Sequence, residues 1–524
     1  MTRIEHIVIV GGGTSGWLAA AYLARNLGSD QPDGPRITLI ESSEIETVGV
    51  GEATVPPVRT VIASLGLDEA EFMRATSATF KLGIRFDQWL GREAGGRPDS
   101  YYHVFGEAGR FGQQLQELMA PYWVIARDSI GKSFVDFSMI EGRICDAGRG
   151  PKKTDGFQFG GPMQYAYHFD AGLLVGLLKK VGCASGVEHL VGTVKNVRLA
   201  EDGSIAALDT EEHGELTADL YLDCTGFGAY IIEKAMGVGF DSLSDKIFCD
   251  RAIACQIPFT DPGQAIPPFT IATAQENGWI WDIPLSDRRG AGYVYSSRYT
   301  DDARAEEVLA GYLGEQASNV KMRRLKMRTG LRRQQWFKNC VSIGLSAGFL
   351  EPLESTGIHI LDVSLRYLVD YFPPTEKMSL AAKQFNDAMN DSYVDIIDFI
   401  KLHYALSRRT DTDFWIDNQR DETLTDTLRD KLESWRYRVP GLLEFSANAN
   451  IFGLAGHLQV LYGMDYLPDL ADQEHRFRRW PEARQRSLEL DSLARGGLAA
   501  LPDHRALVDT AYSTGFRKAP ARGS

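Results

Sequence analysis

The chain is poor in cysteine, and its cysteines are not spaced as ligand pairs. The six, Cys145, Cys183, Cys224, Cys249, Cys255 and Cys340, contain no CxxC. That excludes a zinc ribbon and a thioredoxin-like site, and reduced thiols in a cytoplasm are the simplest reading. The ten histidines form no HxH or HExxH pattern, so no protein-bound metal is expected. No apolar run near the N-terminus exceeds Trp17 to Ala24, which is too short to span a bilayer. It follows a glycine loop and reads as a helix, not a signal peptide. A basic excess is missing too: 70 acidic residues stand against 56 Lys and Arg, which argues against a nucleic-acid partner. The basic clusters Lys321 to Arg328 and Arg476 to Arg479 read as solvated faces. There is no internal repeat. What remains is a globular chain of 524 residues, enough for two or three domains or one interleaved fold.

What is present begins with Ile7-Val8-Ile9-Val10, a buried-strand pattern, followed by Gly11-Gly12-Gly13-Thr14-Ser15-Gly16 and an apolar helix. Gly11, Gly13 and Gly16 make a GxGxxG between a strand and a helix. Glycine there permits a tight turn and close approach of backbone to a pyrophosphate, whose charge sits at the helix N-terminus. Thr14 and Ser15 fall in the same turn. Ile37 to Ile40 supplies a second strand ending in Glu41, where a ribose-binding carboxylate is expected. Gly49 to Pro57 reads as a loop or strap and includes Gly51 and Ala53. Phe80, Leu82, Ile84 and Phe86 alternate with Lys81, Gly83 and Arg85, which predicts one strand with an apolar and a polar face.

Residues 87–156 lack periodicity and read as a substrate-covering insertion. Residues 186–226 read as short strands, ending in Leu220-Tyr221-Leu222-Asp223-Cys224-Thr225-Gly226. A strand closing on an acid and a glycine after a β-meander resembles FAD-dependent two-dinucleotide folds, which makes Asp223 a cofactor candidate. Ile358 to Phe372 repeats at helical spacing until Pro373 and Pro374 stop it, placing Glu354 to Gly357 at a helix N-terminus. After residue 375 the chain turns helical and charged, for example over Ala381 to Leu406. The expected division is therefore 1–375 and 376–524. The tail after Arg517 is expected to be disordered.

Two further segments carry most of the information. Gly278-Trp279-Ile280-Trp281-Asp282-Ile283-Pro284 puts two tryptophans on one face of an extended segment. Ser342 to Gly357 contains Leu353-Glu354-Ser355-Thr356-Gly357. Together with the glycine loop, the strap and Thr79-Phe80-Lys81-Leu82-Gly83, in this order, the chain resembles the flavin-dependent halogenases of the tryptophan-halogenase family. The motifs run from about residue 7 to residue 415.

The resemblance implies a mixed α/β fold of the flavin monooxygenase kind, with a helical region capping the substrate. It implies FAD at Gly11 to Gly16, Glu41, Gly51, Ala53, Asp223, Gly344 and Leu350. It implies halide, chloride or bromide, on the backbone amides of Thr356 and Gly357. Lys81 and Glu354 become the catalytic pair, Ser355 bonds the substrate N–H, and Trp279 and Trp281 wall the substrate off from the flavin. Reduced FAD arrives by diffusion from a separate reductase, because no second nucleotide module is visible. Hypohalous acid then passes to Lys81, as a haloamine or hydrogen-bonded to the ammonium, and both routes stay open. Monomer and homodimer also stay open.

His103 and Phe105 match a family pair that stacks on indole, with a pair of core aromatics as the equal alternative. Members acting on free tryptophan carry a paired-tyrosine and acid clamp. Here no adjacent tyrosines and no acid occur between Glu444 and Asp465. Indole or an indole derivative is the expected substrate. The competing readings are a flavin-dependent aromatic hydroxylase and a flavin-binding protein without chemistry.

Overall fold

The computed structural model describes residues 3–44, 51–91, 99–107, 109–373, 375, 377–445 and 451–518. Gly49 and Val50 of the expected strap, residues 447–450 of the clamp-equivalent segment and the tail beyond residue 518 lie outside these. The chain divides into two compact units, each drawn from three stretches. The first comprises Met1–Ala78, Phe169–Ser244 and Met327–Tyr393; the second, Thr79–His168, Asp245–Lys326 and Val394–Ser524.

The first unit is built on a six-stranded sheet in the order Trp336–Phe337, Cys340–Ser342, Leu220–Asp223, His6–Val10, Arg36–Glu41, Glu188–Val191. All neighbours are parallel except the Trp336–Phe337 hairpin edge. His6–Val10 is buried along its whole length, which is why it reads as an unbroken apolar run. The helix Thr14–Asn26 packs on Ala171–Ala184 and on Gly357–Asp370. The expected β-meander is present as Val194–Leu199, Ile205–Thr210 and Gly214–Leu216.

The second unit holds a seven-stranded sheet in the order Arg323–Lys326, Arg251–Pro258, Arg288–Tyr295, Gly278–Pro284, Thr270–Gln275, Gly83–Asp87, Ser100–Val104. Only Thr270–Gln275 and Gly83–Asp87 run parallel. The helix Asp302–Leu313 covers one face, packing Ala305, Leu309 and Leu313 against Ile253, Ile280 and Tyr293. After residue 394 the chain is helical, as expected from its composition, through Asp426–Trp435, Leu454–Gly463, Trp480–Ala500 and His504–Ser513. No helix among the described residues is long and apolar enough to cross a membrane.

Three expectations change. Residues 87–156 are not irregular throughout: Ser100–Val104 pairs with Gly83–Asp87 as the sheet's edge strand. Among the described residues of this stretch, a 3-10 turn at Leu115–Glu117 leads into the first α-helix, Met119–Ile130. Five residues of edge strand are too short to show a period against an aromatic-rich background. The strand expected over 80–86 is two strands, Thr79–Lys81 and Gly83–Asp87, for a reason given below. The boundary between the units falls within the Ser379–Ala405 helix, not at residue 375.

Candidate active site

The first unit gathers the nucleotide-type residues. Gly11 has φ +115°, and a Cβ there would overlap the Cys224 carbonyl. A Cβ on Gly16 would overlap the Gly11 carbonyl, and one on Gly12 would overlap the Glu41 carboxylate. Nothing lies within 4 Å of the Cβ position on Gly13. The helix beginning at Thr14 has no side-chain cap, so first-turn N–H groups remain for an anion. Glu41 ends its strand over this loop, 3.2 Å from Lys179 Nζ. Gly344, at φ +69°, sits so close to the Ser15 hydroxyl that a Cβ would overlap it. At Gly11, Gly12 and Gly16 the loop thus admits only glycine, and a dinucleotide fits the cradle they make.

Asp223 is a correction. Its Oδ1 accepts from the Thr225 N–H at 3.0 Å and the Thr225 hydroxyl at 2.6 Å. Its Oδ2 accepts from the Ile231 and Ile232 N–H groups at 3.0 and 2.8 Å. The buried carboxylate is saturated by its own chain and anchors the turn of helix at Tyr230–Ala235.

In the same unit, Leu353, Glu354, Ser355 and Thr356 are buried. Ser355 adopts φ +61°, a costly left-handed conformation for a serine, of a kind that clusters at functional sites. Its N–H donates to Pro352 O at 3.0 Å. That turn reverses the chain so that a helix starts at Gly357, with Thr356 as its N-cap residue. Leu350 is buried just before it. Three residues into the helix, burial and the nearby Arg366 push His359 down to about 4.

The second unit gathers the lysine, the aromatics and the tryptophans. Thr79–Lys81 is wholly buried, Lys81 included, so the polar face predicted for this strand does not meet solvent at Lys81. The strand breaks at Leu82 because its backbone changes partners. The Leu82 N–H donates to Pro268 O at 2.7 Å, and its carbonyl accepts from the Phe105 N–H at 2.9 Å. Lys81 Nζ lies 5.2 Å from the centroid of the Phe105 ring, a cation–π distance.

His103, opposite Ile84 across the sheet edge, faces rings from the C-terminal helices. Its centroid is 5.3 Å from Phe399 and 6.3 Å from Phe452, and those two stack at 3.9 Å. His457 lies 4.8 Å from Phe399 and bonds Gly453 O through Nδ1 at 3.1 Å. Burial pushes His457 down to about 3, so it is neutral. A Cβ on Gly456 would come within 2.9 Å of His103 Nε2.

Gly278–Pro284 is buried at every position. Trp279 and Trp281 share a face with ring centroids 6.4 Å apart. Trp281 is paired with Gly292, where a Cβ would overlap the indole; the missing side chain is the notch that takes the ring. On the other face Asp282 ion-pairs with Arg289 and accepts from Tyr312 at 3.2 Å. The motif is tied to the lysine strand, since the Thr79 hydroxyl donates to Pro284 O at 2.7 Å.

The tryptophan halogenase family model matches residues 6–478. The chain belongs to that family. It is a flavin-dependent halogenase of aromatic rings. It is 37% identical to the tryptophan 7-halogenase RebH of Lentzea aerocolonigenes over 508 residues, 92% of this chain and 93% of the relative. Against the crystal structure of a tryptophan halogenase from Shewanella frigidimarina the TM-score is 0.92, at 33% identity and 99% coverage of both chains. Against BrvH, a flavin-dependent halogenase from Brevundimonas sp. BAL3, it is 0.85 at 34% identity, covering 97% of this chain and 99% of that one.

In this halogenase the structure brings Gly11 to Gly16 together with Glu41 and Gly344. It also brings Lys81 together with Phe105 and the tryptophan strand. Sequence reasoning missed Phe399, Phe452 and His457 as neighbours of His103. Their one sequence signal is the i, i+4 pair Phe399 and His403 on an amphipathic helix, which core packing produces equally well.

Proposed function

We propose that this halogenase binds FAD on Gly11, Gly13, Thr14, Ser15 and Gly16, with Glu41 at the ribose and Gly51, Ala53, Gly344 and Leu350 beside the flavin. Bound in its reduced form, FAD supplies with oxygen the oxidising power that turns halide into hypohalous acid. The amides of Thr356 and Gly357 hold the halide at the positive end of their helix. Trp279 and Trp281 keep the organic substrate from the flavin. Lys81 delivers the halogen: a bond forms from halogen to ring carbon, the oxygen–halogen bond breaks, and the departing hydroxide takes a proton from the Lys81 ammonium and leaves as water, the lysine being reprotonated by the ring proton that passes through Glu354. Glu354 takes the ring proton, and Ser355 bonds the substrate N–H. A separate reductase supplies the reduced flavin.

The observation that carries this reading is the complete burial of Lys81, beside Phe105, on a strand bonded to the tryptophan motif. The test is Lys81→Met, which keeps the length and removes the ammonium. With reductase, NADH, bromide and indole, flavin reoxidation should persist while ring halogenation falls about 100-fold or more. Ring halogenation at the wild-type rate and regiochemistry would remove Lys81 from the mechanism.

The substrate is proposed to be an indole without a free amino-acid end. The rings around His103 offer apolar walls and a neutral imidazole, and Ile451 to Met464 contains no carboxylate. Indole should exceed free tryptophan in kcat/KM by about tenfold, read from product mass spectra. Equal values would restore free tryptophan as the substrate.

A further inference from the structure

The strand that carries Lys81 has two edges. On one it pairs antiparallel with Ala166–Asp170, Thr79 opposite His168 and Lys81 opposite Ala166. On the other it runs beside residues 266–268. There the Leu82 rung is direct, N–H to Pro268 O at 2.7 Å. The Phe80 rung is not. The Phe80 N–H donates to His504 Nε2 at 3.2 Å, and His504 Nδ1 lies 2.8 Å from Ile266 O. For both bonds to exist, Nδ1 must carry the proton and Nε2 must accept. The imidazole therefore stands between two backbones as a spacer. It widens one rung while the next stays closed, and Lys81 lies between these rungs.

Phe80, Ile266 and His504 are all buried, so bulk solvent does not reach this rung in the folded chain. Without His504 the Phe80 N–H is an unsatisfied buried donor, or else the strands close up to share it. Either outcome moves the segment whose direction aims Lys81. The ring comes from far along the chain, on the helix His504–Ser513, whose N-cap Asp503 fixes its first turn by accepting from Arg505 and Ala506. Burial holds His504 neutral, as the acceptor role requires.

We propose that His504 is a positioning residue for Lys81, setting the splay of the lysine strand from residues 266–268. The inference rests on Lys81 as the residue that delivers the halogen. When the strand relaxes, hypohalous acid is still made but is not handed over in register, so it escapes. A displacement of this kind far from the reacting atoms is costly in rate.

The test compares His504→Phe, His504→Ala and His504→Gln in the complete system of FAD, reductase, NADH, oxygen, bromide and indole. Three quantities are read: flavin reoxidation, free hypobromous acid caught by a 1,3-diketone, and regioselectively brominated indole. Phe and Ala should leave reoxidation near wild type and lower the ratio of product to trapped hypobromous acid about tenfold. Gln, whose Oε1 accepts the Phe80 N–H, should restore most of the ratio. Without flavin, amide exchange in a peptide spanning Phe80 to Leu82 should accelerate about tenfold in Phe and Ala and not in Gln.

An unchanged ratio in whichever of Phe and Ala folds overturns the proposal, as does faster exchange without loss of the ratio. Equal behaviour of Gln and Phe overturns it too. Lys81→Met, run in parallel, separates the two readings. If it keeps wild-type product, the lysine assignment has failed; if it loses product while the His504 variants stay coupled, the spacer alone has failed.

Discussion

At the scale of single residues, small side chains matter as much as reactive ones. Gly292 leaves the space that the Trp281 ring fills. Gly292→Ala puts a methyl into that ring, and overpacking a filled core costs about 1–3 kcal/mol. Urea denaturation should show a lower midpoint with unchanged slope; an unchanged midpoint would mean that the wall gives way freely. The reactive residues were legible to different degrees. Lys81 was visible only through its family context, because a lysine in an alternating strand looks solvated until the partner of each neighbouring backbone group is known. Asp223 misled for the opposite reason. An acid at a strand end suggests a ligand, yet four donors within ten residues consume its oxygens. No spacing rule shows that.

At the scale of elements, the legible parts were those with long periods. The helices Thr14–Asn26, Gly357–Asp370 and Ser379–Ala405 and the strand Gly278–Pro284 all appear where their patterns place them. Short edge strands and breaks set by distant partners did not show. The aromatic cluster at His103 is an example, assembled from an edge strand and two helices more than 290 positions away. One carboxylate anchors it: Asp395 Oδ2 accepts from the Ile451 and Phe452 N–H groups at 2.7 and 2.9 Å. Asp395→Ala leaves both donors unpaired, at about 1–3 kcal/mol each if they stay buried, and loosens the seat of Phe452. The KM for indole should rise several-fold, roughly 3–10-fold, with kcat little changed. A fall in kcat at constant KM would instead assign Asp395 to the chemistry.

At the scale of the whole molecule, buried histidines set the response to acid. His359 and His504 are held at about 4 and His457 at about 3, each by burial first. The folded chain keeps them neutral, while the unfolded chain protonates them below about 6.5. Proton uptake therefore favours unfolding. Their contribution is intact above pH 6.5 and is lost as the pH falls from there toward 3–4. Each should withdraw roughly 1–2 kcal/mol by pH 5. Thermal melts at pH 7.5, 6 and 5 should show Tm dropping before most carboxylates titrate, and His504→Gln should flatten part of the slope. A flat Tm across that range would show that these rings reach water. The two-unit division was the least legible property of all. Each unit recruits three separate stretches, and a parallel sheet places Val8, Tyr221 and Cys340 side by side without any local mark.

The pairing of Trp281 with Gly292 also bears on how such an enzyme can change. A slip of one position along Gly278–Pro284 would exchange the indole face for the one bearing Asp282, and the notch forbids it by admitting a ring at one place only. The seat of the Trp281 ring is therefore set by a pair of positions on two strands. Varying residue 281 alone leaves the notch at Gly292 matched to an indole that is gone. Varying 281 and 292 together opens the route by which the proposed barrier could be reshaped.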